Sequence, residues 1–112
     1  MKIDSKRQVL VLGATGTVGS AVARATVLAG GDVRALVRSE ASVAKLPAGV
    51  TAMRGDLRDA NALKSAMRGV QAVFYVSPHE PDEEALAASV IRACNDAKVR
   101  LVFVGVHVDA TT

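Results

Sequence analysis

The chain has 112 residues, half of which are hydrophobic, and its formal net charge is +3. This length suffices for one domain with one compact core, and the hydrophobic content excludes a disordered chain. No apolar run approaches the roughly 20 residues of a membrane-spanning helix, and residues 1–7 are too polar for a signal peptide. We therefore expect residues 1–112 to form a single domain in the cytoplasm, without contact to a membrane.

Charge and cysteine content argue against two further classes of protein. The 14 Lys and Arg residues are dispersed among 11 Asp and Glu residues, and aromatic residues make up only 3% of the chain. Nucleic-acid binding needs clustered basic and stacking side chains, so we expect no nucleic-acid partner. Cys94 is the only cysteine, which excludes an internal disulfide and a thiolate zinc site. Neither His79 nor His107 has acidic partners at zinc-ligand spacing, so we expect no metal.

Strand and helix patterns alternate along the chain, with short connections between them. The pattern predicts strands at residues 8–12, 32–38, 50–54, 70–76 and 100–106. It predicts helices at residues 18–29, 40–46 and 60–68, and a fourth that begins at the acidic residues 82–84. Ser39 and Asp59 are expected to cap the second and third helices.

Helical spacing predicts which helix side chains face the core. On the first helix these are Val18, Ala21, Val22, Ala25 and Leu28. On the third helix they are Leu63 and Met67, and on the fourth they are Leu86, Val90, Ile91, Cys94 and Ala97.

Five strands separated by four helices predict right-handed crossovers and therefore a parallel sheet. We expect a doubly wound α/β fold with the strand order 3-2-1-4-5. Such a fold usually continues to a sixth strand, so we expect this domain to be incomplete after strand five. The edge and one face of that outer strand would then be uncovered, which predicts self-association or docking of a missing C-terminal segment.

Three glycines at three-residue spacing, Gly13, Gly16 and Gly19, lie between the first strand and the first helix. Gly13 permits a sharp turn, Gly16 lets the backbone approach a pyrophosphate, and Gly19 lets the helix pack closely on the strand. The free N–H groups at the start of the helix would face the anion. The motif therefore predicts dinucleotide binding.

The end of the second strand selects the cofactor in folds of this kind. An acidic side chain there binds the ribose hydroxyls of NAD, whereas an arginine binds the 2′-phosphate of NADP. The position holds Arg38, and no acidic residue stands beside it before Glu40. We therefore expect NADP(H) to be preferred over NAD(H), the alternative being that Arg38 is a solvated residue at a strand end. Arg34, on the same strand, is expected at the surface.

Four segments taken together, residues 13–19, 33–38, 55–57 and 73–78, resemble the NmrA-like branch of the atypical short-chain dehydrogenase/reductases. The resemblance implies a Rossmann-like NAD(P)-binding domain. By this resemblance, Thr15, Gly16, Thr17 and Val18 would line the pyrophosphate, Arg38 would hold the adenosine phosphate, Asp56 and Leu57 would meet the adenine, and Val76, Ser77 and Pro78 would lie along the ribose towards the nicotinamide. For Asp56, the alternative is a turn-forming role.

The wider superfamily transfers protons with a tyrosine and a lysine four residues later, and this pair is missing from the sequence. Tyr75 lies in the predicted fourth strand and is followed four residues later by His79. His79 could donate a proton near the nicotinamide, although an exposed loop histidine is the commoner case. We therefore assign no catalytic residue.

NmrA-like proteins include both NAD(P)H-dependent reductases and nucleotide-sensing regulators. The resemblance thus implies one of two functions. The first is the NADP(H)-binding domain of an oxidoreductase that acts on a quinone, a flavin or a small carbonyl compound. The second is an NADP(H)-sensing protein without turnover.

Overall fold

The computed structural model describes residues 8–76 and 81–104, the last two of them by their backbone alone. The strands are β1 (Gln8–Leu12), β2 (Asp32–Val37), β3 (Val50–Arg54), β4 (Ala72–Val76) and β5 (Arg100–Val104), and the helices are α1 (Thr17–Leu28), α2 (Glu40–Ala44), α3 (Ala60–Ala66) and α4 (Glu83–Ala97). The predictions that concern Ser77, Pro78, His79 and His107, and the end of the predicted fifth strand, lie outside the described residues.

The five strands form one parallel sheet in the order β3-β2-β1-β4-β5. This order confirms the predicted doubly wound α/β fold. β1 is central, and it pairs with β2 from Gln8 opposite Asp32 and with β4 up to Leu12 opposite Tyr75. From β1 the chain adds β2 and β3 on one side of the sheet and then β4 and β5 on the other, so the direction in which strands are added reverses between β1 and β4.

Side chains of the central strand alternate between two cores. Leu10 and Leu12 pack with side chains of α3 and α4 on one face of the sheet. Val9 and Val11 pack with Ala23 of α1 on the other face. Because helices cover both faces of a parallel sheet, its strands carry apolar residues at successive positions. The short apolar runs in the sequence reflect this two-sided burial.

α1 presents a different face to the core from the one that the sequence predicts. Of the predicted inward residues, three are exposed, so the prediction is wrong for Ala21, Ala25 and Leu28. The buried residues are Gly19 and Ala23, with Val22 partly buried beside them. A Cβ on Gly19 would overlap the carbonyl group of Gly13. The helix thus lies so close to the turn that small residues, rather than large apolar ones, face inward.

α4 buries three of the five residues that the pattern places inside, namely Leu86, Val90 and Cys94. The prediction is wrong for Ile91, which is 52% exposed, and for Ala97, which is also exposed. The buried residues follow one another at intervals of four. Ile91 lies about 100° around the helix from Val90, because each residue advances an α-helix by that angle.

The caps of α2 and α3 confirm the predictions for both helix starts. The Ser39 hydroxyl accepts a hydrogen bond from the N–H three residues later at 3.2 Å. The Asp59 carboxylate accepts one from the N–H two residues later at 2.9 Å. Leu63 and Met67 are buried, as predicted. These local signals are therefore sufficient to start both helices.

Arg34 is a structural residue, so its predicted place as a surface residue is wrong. Its guanidinium donates hydrogen bonds to the carbonyl oxygens of Ala66 at 2.7 Å and Arg68 at 2.9 Å. It also donates to Gln8 Oε1 at 2.8 Å. The carbonyl groups at the end of a helix lack helical partners. Arg34 supplies partners there and ties β2 to the end of α3.

Candidate functional site

The turn between β1 and α1 lies at the carboxyl edge of the sheet, where the strand order reverses. Ligands of doubly wound folds bind at such a switch point. Gly13 has a φ of +96°, and a Cβ on it would lie 3.0 Å from the carbonyl oxygen of Val76. Gly13 thus allows the turn to run against the end of β4, where Val76 is buried. Gly19 is buried behind the turn and supports it.

The start of α1 is open to solvent. Gly16 is its N-cap and makes no side-chain hydrogen bond. Among the described residues, a Cβ on Gly16 would meet the Gly13 carbonyl oxygen alone, at an ordinary contact distance of 3.7 Å. Thr15 and Thr17 are exposed, Val18 is half-buried, and the first turn carries no acidic residue. The N–H groups and the positive end of the helix dipole are therefore accessible to an anion.

Arg38 follows β2 directly at the same edge of the sheet and is exposed. No carboxylate of the described residues lies within ion-pair distance of it. Glu40, the next acidic residue along the chain, instead accepts a hydrogen bond from Arg54 Nη1 at 2.8 Å. The Arg38 guanidinium is thus available to an anionic ligand.

Asp56 and Leu57 form the turn after β3, and both are half-buried. The Asp56 carboxylate accepts a hydrogen bond from the Arg58 backbone N–H at 2.9 Å through Oδ1. This contact gives Asp56 the turn-forming role that the sequence left as an alternative. It occupies one carboxylate oxygen, and no described residue bonds to the other. Leu57 packs against the core beneath α3 and α4.

Arg58 makes an ion pair that the sequence reasoning missed. Its Nε lies 2.8 Å from Asp82 Oδ2 and its Nη2 lies 3.0 Å from Asp82 Oδ1, so the two side chains meet at two points. Nη1 lies 3.6 Å from Asp56 Oδ1. The hydrogen bonds from Arg58 lower the pKa of the Asp82 carboxyl. The pair joins the turn after β3 to the start of α4, and no local sequence signal links residues this far apart.

Tyr75 belongs to the core and is 1% exposed. Burial raises the pKa of its phenol, and the nearby carboxylates of Glu83 and Asp82 raise it further. The hydroxyl therefore stays protonated at neutral pH and is shielded from solvent.

A cavity of about 710 Å³ lies between α3 and α4. Leu63, Met67 and Val70 contribute apolar surface to it, and Arg92 and Asp96 contribute charge. Neither the glycine turn nor Arg38 lines this cavity. Leu57, which is predicted to meet the adenine, does line it. Thr15, Gly16, Thr17 and Arg38 lie exposed at the carboxyl edge of the sheet, which suits an extended ligand that spans several strand ends.

The model of the NmrA-like family matches residues 5–111. This chain belongs to the NmrA-like family. Among its NmrA-like and reductase relatives, the NAD(P)H azoreductase of Xenophilus azovorans is 42% identical over 93 residues, which cover 82% of this chain and 32% of the azoreductase. The family membership confirms the resemblance that the four sequence segments indicate.

Solved structures agree with the NmrA-like assignment. A Rossmann-fold NAD(P)-binding family protein from Shigella flexneri superposes with a TM-score of 0.73 at 30% identity, covering 85% of this chain and 49% of that one. An NADPH-dependent quinone oxidoreductase from Escherichia coli, solved with NADPH, superposes with a TM-score of 0.72 at 29% identity, covering 85% of this chain and 35% of that one. The fold is therefore a Rossmann fold.

The NmrA-like chain spans about a third of the length of the curated relatives it matches. In the described part of the chain, no helix has both the length and the hydropathy that crossing a membrane requires. Among these described residues, no group of three or more His, Cys, Asp or Glu side chains lies close enough together to hold a metal ion.

Proposed function

We propose that this NmrA-like chain is the NADP(H)-binding domain of an NAD(P)H-dependent oxidoreductase and that it prefers NADP(H) to NAD(H). The observation that carries the proposal is the environment of Arg38. Its guanidinium is exposed directly after β2, and no described carboxylate pairs with it.

The pyrophosphate of the cofactor would occupy the open space beside Gly16. The N–H groups at the start of α1 would donate to it, and the exposed hydroxyls of Thr15 and Thr17 add further donors. Gly13 and Gly19 contribute through the shape of the turn. A side chain on Gly19 would collide with the Gly13 carbonyl group, and one on Gly13 would be strained at φ +96° and lie tightly against Val76.

The 2′-phosphate of NADP(H) would lie on Arg38, since a guanidinium and a phosphate form a two-point, charge-assisted pair. The contact between Arg54 and Glu40 at 2.8 Å supports this assignment. It offsets the negative charge that stands closest to Arg38 along the chain. Asp56 and Leu57 would meet the adenine, the first through its second carboxylate oxygen and the second through apolar contact.

Bound NADPH would supply a hydride to the acceptor, and the residues of this chain would bind and orient the cofactor. The similarity to a quinone oxidoreductase supports a quinone as the acceptor, and the similarity to an azoreductase supports reduction of a small molecule. A flavin and a small carbonyl compound are the other acceptors that the family resemblance implies.

Calorimetric titration with NADPH and NADH tests the cofactor preference. We expect NADPH to bind at least about tenfold more tightly, because a hydrogen-bonded charge pair contributes roughly 1.5 to 3 kcal/mol. Arg38→Leu is expected to remove most of this preference by weakening NADPH binding alone. Arg24→Leu, which changes an exposed arginine of α1, is the matched control. Equal affinities of the wild type for both cofactors would contradict the proposal.

A second candidate function is an NADP(H) sensor without turnover. The observation that favours it is the burial of Tyr75, the only tyrosine of the chain. The two functions are separated by incubating the purified chain with NADPH and a panel of quinones. Loss of absorbance at the nicotinamide band supports the reductase, whereas binding without turnover supports the sensor.

A further inference from the structure

Among the described residues, Arg58 contacts two acidic side chains that come from different parts of the carboxyl edge. Its guanidinium meets Asp82, at the start of α4, at 2.8 and 3.0 Å. Its backbone N–H meets Asp56 Oδ1 at 2.9 Å, and its Nη1 lies 3.6 Å from the same oxygen. The turn after β3 is therefore stabilised by a hydrogen bond within the turn and by an ion pair with the start of α4.

We propose that Arg58 is a positioning residue of the dinucleotide site, which holds the Asp56 carboxylate in place for the adenine amino group while Asp82 anchors its guanidinium. This inference rests on the proposed function, because it requires a dinucleotide at this edge. It gives Arg58 and Asp82 a role in the site, in addition to the residues of the glycine turn and Arg38.

The orientation of Asp56 follows from the contacts of its two oxygens. Oδ1 accepts the Arg58 N–H, which leaves Oδ2 without a partner among the described residues. A carboxylate oxygen only accepts hydrogen bonds, and the exocyclic amino group of adenine donates them. The hydrogen bond to Oδ1 comes from the backbone of Arg58, and the Arg58 side chain acts on it indirectly, because its contacts with Asp82 hold the residue that carries this N–H, with Nη1 3.6 Å from Oδ1. Holding Oδ1 fixes the direction in which Oδ2 can accept. A ligand with a carbonyl oxygen in place of that amino group would face Oδ2 with a second acceptor.

The geometry of the pair sets the size of the expected effect. The side chains of Arg58 and Asp82 are 35% and 41% exposed, and exposed ion pairs are weak unless the contact is two-pointed. Arg58 Nε and Nη2 donate to the two carboxylate oxygens of Asp82, so this contact has two points. We therefore expect changes of several-fold in affinity rather than abolished binding.

The test compares NADPH with its hypoxanthine analogue, deamino-NADPH, in which a carbonyl oxygen replaces the adenine amino group. Dissociation constants of both are measured for the wild type, Arg58→Met, Arg58→Lys and Asp82→Asn. We expect the wild type to prefer NADPH about fivefold, as the net contribution of one ordinary hydrogen bond allows. Arg58→Met and Asp82→Asn keep the backbone N–H on Asp56 Oδ1 but lose the side-chain contact that holds it, so they should lose a measurable part of this preference, and Arg58→Lys, which keeps the charge, should lose less.

Two readouts separate positioning from a merely structural role. The ratio of NADPH to NADH affinity depends on Arg38, and it should stay unchanged in all Arg58 and Asp82 variants. Arg92→Met, an exposed arginine farther along α4, should behave as the wild type with both adenine and hypoxanthine cofactors. If Arg58 only stabilises the fold, its variants will have lower melting temperatures, and their affinities for NADPH and deamino-NADPH will fall by the same factor.

Each outcome decides the inference. A wild type that binds NADPH without preferring it over deamino-NADPH would overturn this inference and leave the proposed function intact. Variants that keep the full preference would overturn it as well. A wild type that binds neither NADPH nor NADH would overturn the proposed function, and this inference would fall with it. Because Asp82→Asn leaves Arg58 in place, the test remains decisive if Arg58→Met does not fold.

Discussion

The three glycines of the turn differ in what a side chain would meet. Gly16 has ordinary extended backbone, with φ −83° and ψ 177°, and among the described residues its Cβ would meet the Gly13 carbonyl oxygen at an ordinary contact distance of 3.7 Å. Gly19 has no room for a side chain, because its Cβ would overlap the Gly13 carbonyl group. Gly13 combines a positive φ with close contact to Val76. The same motif therefore contains one position that suits a ligand and two that shape the turn.

The same substitution at two of these glycines should separate binding from stability. We expect Gly16→Val to abolish dinucleotide binding, because the side chain fills the space proposed for the pyrophosphate, and to change the free energy of unfolding by less than about 1 kcal/mol. We expect Gly19→Val to lower the free energy of unfolding by about 3 kcal/mol or more, since overpacking against backbone forces the helix to move. Denaturant unfolding and calorimetric titration measure the two effects.

Each variant of this pair serves as the control for the other. If Gly16→Val still binds NADPH and has an unchanged circular dichroism spectrum, the turn is structural only. If Gly19→Val is as stable as the wild type, the close approach of α1 to the turn does not constrain the fold.

Among the contacts between elements, a half-buried arginine, Arg34, connects β2 to α3. Arg34 donates to two carbonyl groups at the end of α3, which would otherwise lack partners. Leaving such acceptors unsatisfied costs roughly 1 to 3 kcal/mol. The position is partly buried, so solvent replaces these bonds only in part.

We expect Arg34→Met to lower the free energy of unfolding by about 2 kcal/mol, because both carbonyl groups lose their donor. The preference for NADPH over NADH should not change, since Arg34 does not contact the carboxyl edge residues. Chemical denaturation of Arg34→Met and of the exposed control Arg24→Met provides the comparison. If Arg34→Met is as stable as the control, Arg34 contributes no stability beyond that of the surface residue that the sequence predicts.

At the scale of the whole molecule, β5 is the outer strand of the described sheet and pairs with β4 alone. Val102 in this strand is 38% exposed, opposite Phe74 of β4, which faces the α1 side of the sheet. Strand edges of this kind pair with other chains unless charge or proline protects them. Arg100 is the charged residue within the described strand.

We expect this edge to be covered, either by a second copy of the chain or by a C-terminal segment of its own protein. Sedimentation of the 112-residue chain over a wide concentration range should show reversible self-association. Val102→Lys should weaken that association, because a charge on the exposed apolar face opposes contact with another sheet. A soluble chain that stays monomeric at every concentration would contradict the prediction.

Features that depend on neighbouring residues could be predicted from the sequence alone. Glycine spacing, the caps at Ser39 and Asp59, and apolar runs of strand length all act within one turn or one strand. They predict the element order and, through the right-handed crossover rule, the strand order of the sheet. The glycine motif and Arg38 follow from the same reasoning, because a parallel sheet brings the strand ends to one edge, whereas the roles of Asp56, Leu57 and residues 76–78 come from the family resemblance.

Contacts between side chains that are far apart along the chain became visible only in the folded molecule. Arg58 and Asp82 are 24 residues apart, and Arg34 reaches carbonyl groups 32 and 34 residues away. The inward face of α1 likewise depends on how closely Gly19 approaches the turn after β1. Such contacts arise from the distance and angle at which elements pack, and residue patterns within one element do not contain that information.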